Sequence, residues 1–168
     1  MNIMRPTSIA LGLCLALAGA AHAGTVNVSF AEPPARFSDA GDSFAEEKHN
    51  LQSLARHLES LGSTLPAEQS LKIELVDVDL AGEMRFTRLS PGRMLRILRG
   101  GTDVPRVTLR YTLESNGRVL NSAEETVADL DYAHRGAGVH ADSSLYFEKR
   151  MLTQWFRSRF VSPAAAER

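Results

Sequence analysis

The chain has 168 residues, 19 Lys and Arg against 20 Asp and Glu, 43% hydrophobic residues and a single cysteine. One cysteine excludes an internal disulfide and every cluster of cysteine ligands for zinc or iron–sulfur. The near-neutral balance argues against a dedicated nucleic-acid binder, which needs a strongly basic domain.

Residues 1–23 are expected to be a cleaved export signal. Arg5 is a short positive start, Ile9 to Leu17 is an apolar core, and Ala21-His22-Ala23 is a small-x-small cleavage site. The apolar run is too short for a bilayer span of about 20 residues. A lipoprotein anchored through Cys14 is rejected because Leu13 precedes that cysteine, where Gly, Ala or Ser is required. Cleavage after Ala23 would deliver a periplasmic chain of 145 residues (168 less 23). Losing Arg5 and Cys14 leaves 18 basic and 20 acidic residues and no cysteine, hence no thiol nucleophile. A chain this long can bury about 68–70% of its unfolded surface, enough for one domain without staples. That domain is expected over 24–163, with 164–168 as a frayed tail. No later run approaches 18 apolar residues, so no transmembrane span is expected.

Val26, Val28 and Phe30 alternate with Asn27 and Ser29, the period of a half-buried strand, ended by Pro33-Pro34. Residues 35–42 are expected to be a loop. Ser43 with Glu46 is a capping box. Phe44, Leu51, Leu54, Leu58 and Leu61 then step by 7, 3, 4 and 3, a helical stripe from Phe44 to Leu61 that Gly62 is expected to stop. Leu71, Ile73 and Leu75 alternate as a second strand from near Ser70. At Val76 the phase inverts to Val76, Val78 and Leu80, which a bulge or burial on both faces would explain. Strand, helix and strand in this order predict a parallel pair.

Arg93 to Arg99 fits either a short helix, started by Ser90-Pro91 and stopped by Gly100-Gly101, or a strand. Val107, Leu109, Tyr111 and Leu113 alternate cleanly. Asn116-Gly117 is a strong hairpin signal, and Val119 to Leu130 is the returning strand. His134 to Asp142 is a loop. Asp142, Ser143 and Ser144 are candidate caps for a last helix, Ser144 to Phe160, whose apolar face is Phe147, Met151, Leu152, Trp155, Phe156 and Phe160. The expected class is α+β. A mostly antiparallel sheet of about five strands carries two helices on one face, a two-layer sandwich.

Three ordered blocks carry a family resemblance: Leu75-Val76-Asp77-Val78-Asp79-Leu80-Ala81-Gly82-Glu83, Val104-Pro105-Arg106-Val107-Thr108-Leu109-Arg110-Tyr111, and Tyr146-Phe147-Glu148-Lys149-Arg150-Met151-Leu152-Thr153-Gln154-Trp155-Phe156. Together they resemble the domain of unknown function 3016 family of exported proteins of Gram-negative bacteria, over nearly the whole mature chain. The resemblance implies a periplasmic location, one domain and a strand at Met94 to Leu98. It implies no activity, cofactor or catalytic residue.

Asp77 and Asp79 are the sharpest chemical feature. On a strand they share a face with Cβ atoms about 6.5–7 Å apart. With Glu83 they suit a hard divalent cation. An EF-hand fails at Ala81 and Arg88, which stand where a fifth-position ligand and a bidentate Glu are needed. A phosphatase Asp-x-Asp pattern fails at Ala81 too. The plainer reading pairs these carboxylates with Arg85, Arg88 or Arg110, or has them cap the loop. Arg85, Arg88, Arg93, Arg96 and Arg99 form a run free of acids, suited to phosphate or carboxylate contacts or else to a solvated face. His49 and His57 lie about 12 Å apart along one helix, too far for one ion. His134 and His140 share a loop. No Gly-x-Ser-x-Gly elbow, phosphate loop or dinucleotide fingerprint occurs. Trp155, the single tryptophan, is expected in the core, with a partner contact as the rival reading.

The leading expectation is a periplasmic, non-enzymatic module that contacts an envelope protein or an anionic lipid or glycan, with Arg93, Arg96, Arg99 and Trp155 as candidate contacts. The alternatives are a small-ligand or divalent-cation binder using Asp77, Asp79 and Glu83, and a hydrolase without a recognisable motif. No resident cofactor or metal and no nucleic-acid partner is expected.

Overall fold

The computed structural model describes residues 23–31, 37–88, 90–99, 101–134 and 145–161. The proposed leader, its cleavage site up to His22, the caps Asp142 to Ser144, His140 and the tail lie outside them. In chain order come β1 (Thr25–Phe30), α1 (Phe44–Ser60), a 3₁₀ turn (Leu61–Thr64), β2 (Gln69–Asp79), β3 (Glu83–Thr87), β4 (Ser90–Ile97), β5 (Arg106–Ser115), β6 (Arg118–Ala128) and α2 (Tyr146–Phe156), which runs into a π turn (Arg157–Val161).

The α+β expectation holds, with six strands among the described residues divided between two sheets. The main sheet has the order β1-β2-β5-β6, and β3 pairs with β4 alone. β1 and β2 are parallel, as strand–helix–strand requires, while β2–β5 and β5–β6 are antiparallel. One face of the main sheet is apolar because its strands alternate. Leu71, Ile73, Leu75, Leu109 and Tyr111 pack there against Leu54 and Leu58 of α1 and Leu152 and Phe156 of α2. The opposite face is polar and pairs with itself. Lys72 meets Glu114 at 2.7 Å, and Arg110 bridges Glu74 at 2.5 Å and Glu124 at 2.8 Å. This is the two-layer arrangement of half-solvated antiparallel sheets.

The phase inversion at Val76 is a bulge. Leu75 opposes Leu109 and Asp77 opposes Thr108, so Val76 has no partner. The extra residue keeps Val78 in the core and turns Asp77 and Asp79 onto the polar face.

Several local expectations are corrected. α1 stops at Ser60 and tightens into a 3₁₀ turn, and Gly62 does not take the left-handed cap conformation. Its lack of a side chain serves packing instead, since a Cβ there would lie 3.1 Å from the Gly24 carbonyl and 3.2 Å from a Val26 methyl. Phe44 leaves the apolar stripe and is 82% exposed, because the first helical turn precedes the buried Asn50–Leu51 face. The segment expected as a plain loop bonds to β2 through Asp39, which donates its N–H to Val78 and accepts from Leu80. β6 ends at Ala128, and Leu130 is exposed. α2 is capped one to three residues beyond the expected hydroxyl and carboxylate caps and begins at Tyr146. Its cap is Leu145 at φ 61° with no side-chain hydrogen bond.

Candidate functional site

The run Arg93 to Arg99 resolves as strand, in β4. With β3 it makes a two-stranded arm in which no described side chain is buried. The reason is compositional. Arginine falls into both phases of the alternation, so neither face offers a continuous apolar stripe to the core. Cross-strand pairs place Met84 opposite Arg96 and Phe86 opposite Met94 on one face, and Arg85 opposite Leu95 on the other. Phe86 is 75% exposed, and Met94, Leu95 and Leu98 are exposed as well.

The base of the arm is fastened by charge. Arg96 Nη1 and Nη2 donate to the two Asp39 carboxylate oxygens at 2.9 and 2.8 Å. Nη1 also reaches the Ala81 and Gly82 carbonyls at 3.4 and 3.2 Å. From the other side Glu148 of α2, only 3% exposed, accepts the Ala81 N–H at 2.8 Å. Burial pushes the Glu148 carboxyl above its ordinary range, against the pull of the Ala81 N–H and of Arg96. Gly82 turns the chain from β2 into the arm at φ 83°, a conformation that suits glycine. Ala81, Val104 and Tyr132 form a small second core beneath, with Phe147 packed against it. A cavity of about 240 Å³ opens beside the clamp, lined by Glu46, Asn50, Arg96, Leu98, Leu145 and Glu148 among others.

The candidate residues therefore separate. Arg96 is spent on the clamp and is not a free contact. Arg93 and Arg99 are exposed with Arg88, and none of the three has an ion-pair partner among the described residues. Glu83 pairs with its neighbour Arg85 at 2.6 Å. Asp77 accepts from the Ser38 N–H and hydroxyl, both at 2.7 Å, and Asp79 meets Arg106 at 3.4 Å. The Glu83–Arg85 pair is among those expected from the sequence; the Ser38 and Arg106 partners are not, because the bulge sets Asp79 opposite Arg106. Partial burial raises the Asp79 carboxyl, Arg106 works against the rise, and the Asp39 and Asp77 carboxylates add to it. Among the described residues no group of three His, Cys, Asp or Glu is placed to hold a metal ion.

Trp155 is 7% exposed and Phe156 is fully buried, so neither is a free-standing anchor. Trp155 packs edge-on against Tyr111 and Phe160. Its indole N–H donates to Glu125 at 3.0 Å. Glu125 also accepts from the Tyr111 hydroxyl at 3.2 Å and from Arg159 at 3.1 Å. This carboxylate lines a groove of about 650 Å³ between the end of β6 and α2, as does Asp129, which is paired with Arg150 at 3.0 Å. Burial, with Glu125 beside it, raises the Tyr111 hydroxyl. His57 lies 2.9 Å from the Lys149 carbonyl and 2.8 Å from the Thr153 hydroxyl, and His134 lies by Asp131.

The sequence reading passed over Glu125, Glu148 and Asp39. Two of these left a signal. Glu125 falls in the core phase of β6 between Ala123 and Val127, and Glu148 sits three and four residues before Met151 and Leu152 on the apolar face of α2. A carboxylate at a core position requires a buried donor. Asp39 lay in a loop and left none.

The family model described as "Protein of unknown function (DUF3016)" matches residues 24–158. No curated protein matches the chain. No helix among the described residues is long and apolar enough to cross a membrane.

Proposed function

The chain belongs to the DUF3016 family, and on that premise we propose that it is an exported, non-enzymatic binding module of the periplasm whose contact surface is the β3–β4 arm. The partner class is an envelope protein or an anionic envelope component. One observation carries the reading: the arm joins exposed Phe86 and Met94 to Arg88 and Arg93, neither of which has an ion-pair partner among the described residues, on a ribbon none of whose described side chains is buried, yet it is clamped to the body through Arg96. Contiguous exposed apolar side chains rimmed by charge mark interaction surfaces. Elsewhere the strongest polar constellations satisfy themselves. Asp77 is held by Ser38, Asp79 by Arg106 and Glu125 by three donors, which supports a binding role over a catalytic one.

The test is crosslinking in intact cells. A photo-reactive residue replaces Phe86 in one strain and Thr112, on the self-paired sheet face, in another. Adducts of any chemical class at position 86 and none at 112 are expected. No adduct at 86, or equal adducts at both, refutes the reading.

A further inference from the structure

Resting on the arm as the contact surface, we propose that its partner is an anionic lipid bilayer, with the Phe86–Met94 tip entering the headgroup region and Arg88 and Arg93 meeting lipid phosphates. Charge is the first support. Residues 83–99 hold five arginines and one glutamate, a net +4; Glu83 is tied to Arg85 and Arg96 to Asp39 at the base, which leaves Arg88 and Arg93 toward the tip. The whole chain is −1, so the remainder carries −5 (−1 less +4). An anionic surface attracts the arm and repels the body, which orients the molecule arm-first.

Shape is the second support. Phe86 and Met94 leave one face of the ribbon and Leu95 leaves the other, with Arg85 beside Leu95. A protein partner would cover one face of a two-stranded ribbon. A fluid, amphipathic medium surrounds both. Arginine suits its edge because the guanidinium forks to phosphate while the stem lies along apolar neighbours. The arm tip is also the end farthest from the Arg96 clamp, since Phe86 pairs with Met94 two residues beyond the Met84–Arg96 pair.

The experiment is co-sedimentation with vesicles of phosphatidylglycerol and phosphatidylethanolamine, against vesicles of phosphatidylcholine alone. All proteins carry the same N-terminus, so residues 1–22 contribute equally. Binding only to the anionic vesicles is expected, falling steeply between 0.1 and 0.5 M salt, where screening shortens from about 10 Å to a few ångströms. Each arginine contributes about fivefold at such a surface, so Arg88→Glu/Arg93→Glu should lose at least about 25-fold. Phe86→Ala should lose about tenfold through its apolar surface. Both variants change exposed residues, and unchanged thermal unfolding verifies that they fold. Phe86→Trp adds a direct reading. Brominated anionic lipid should quench the new indole, whereas the wild type, whose single tryptophan is the buried Trp155, should stay bright. Equal binding to both vesicle types, unchanged binding by the double variant, or an unquenched Phe86→Trp each overturns the lipid assignment. Protein adducts at position 86 in cells without vesicle binding would leave the arm as contact surface and remove the lipid. Absence of every adduct there removes the arm itself.

Discussion

Arg96→Ala asks whether one ion pair holds the arm on the body. The guanidinium meets both oxygens of Asp39 and two backbone carbonyls, and the two side chains keep 21% and 29% of their surface exposed. An exposed pair contributes up to about 1 kcal/mol. Breaking a fully buried one costs about 3–5 kcal/mol. The clamp lies between these limits, because a freed Asp39 can rehydrate from its open side, so the expected loss is about 2 kcal/mol. In a domain of this size that lowers Tm by about 6–8 °C. The damage should be local. The main sheet keeps its own core, so amide exchange should quicken in β3 and β4 well before it quickens in β2 and β5. Arg96→Lys should recover only part of the loss, since a single ammonium cannot fork to both oxygens. Differential scanning calorimetry and hydrogen exchange read both quantities. Unchanged Tm together with unchanged arm exchange would refute the clamp.

Three further outcomes follow from individual contacts. Burial lowers the His57 pKa, with the raising effect of the Lys149 carbonyl and the repulsion of the Lys149 charge behind it. The unfolded chain therefore binds the proton more readily, and this contribution is complete above the ordinary value of 6.5 and lost as pH falls below it. His57→Gln should accordingly lose less Tm than the wild type between pH 7 and pH 5, and parallel curves would discard the assignment. Glu125→Ala strips a shared acceptor from Tyr111, Trp155 and Arg159. It should cost about 2 kcal/mol in urea unfolding and shift the Trp155 emission. A silent indole would count against the network. Gly82→Ala forces a Cβ to within 2.7 Å of the Ile97 carbonyl at φ 83°. It should cost about 2–3 kcal/mol, whereas Gly92→Ala, at φ 80° with open space around it, should cost less. Equal losses would show that backbone strain alone decides.

What the amino-acid order determined by itself was everything with a short period. Two-residue alternation marked β1, β2 and β5, and β6 followed as the return strand of the hairpin. The 3.6-residue stripe with the Ser43–Glu46 box marked α1, where Ser43 does accept the Glu46 N–H. Asn116-Gly117 marked the hairpin through left-handed turn residues. Even the Val76 bulge announced itself, because an inserted residue must invert the apolar phase. The exposed arginine run and the self-satisfied Asp77 and Asp79 were legible as residue types, without their partners.

Tertiary structure alone decided who meets whom. Asp39 and Arg96 lie 57 residues apart, and Glu125 and Trp155 lie 30 apart. No local pattern relates such positions. It also decided that Arg96 meets Asp39 while Arg93 has no ion-pair partner among the described residues, since β4 has arginine in both phases and only docking at Ala81–Gly82 selects one for the clamp. Trp155 went to the core as expected, but its neighbours there, Tyr111 and Glu125, come from distant strands that no local pattern relates to it. Periodicity acts over a few residues, through backbone geometry. Ion pairs and edge contacts depend on where the assembled layers leave a donor, an acceptor or a gap.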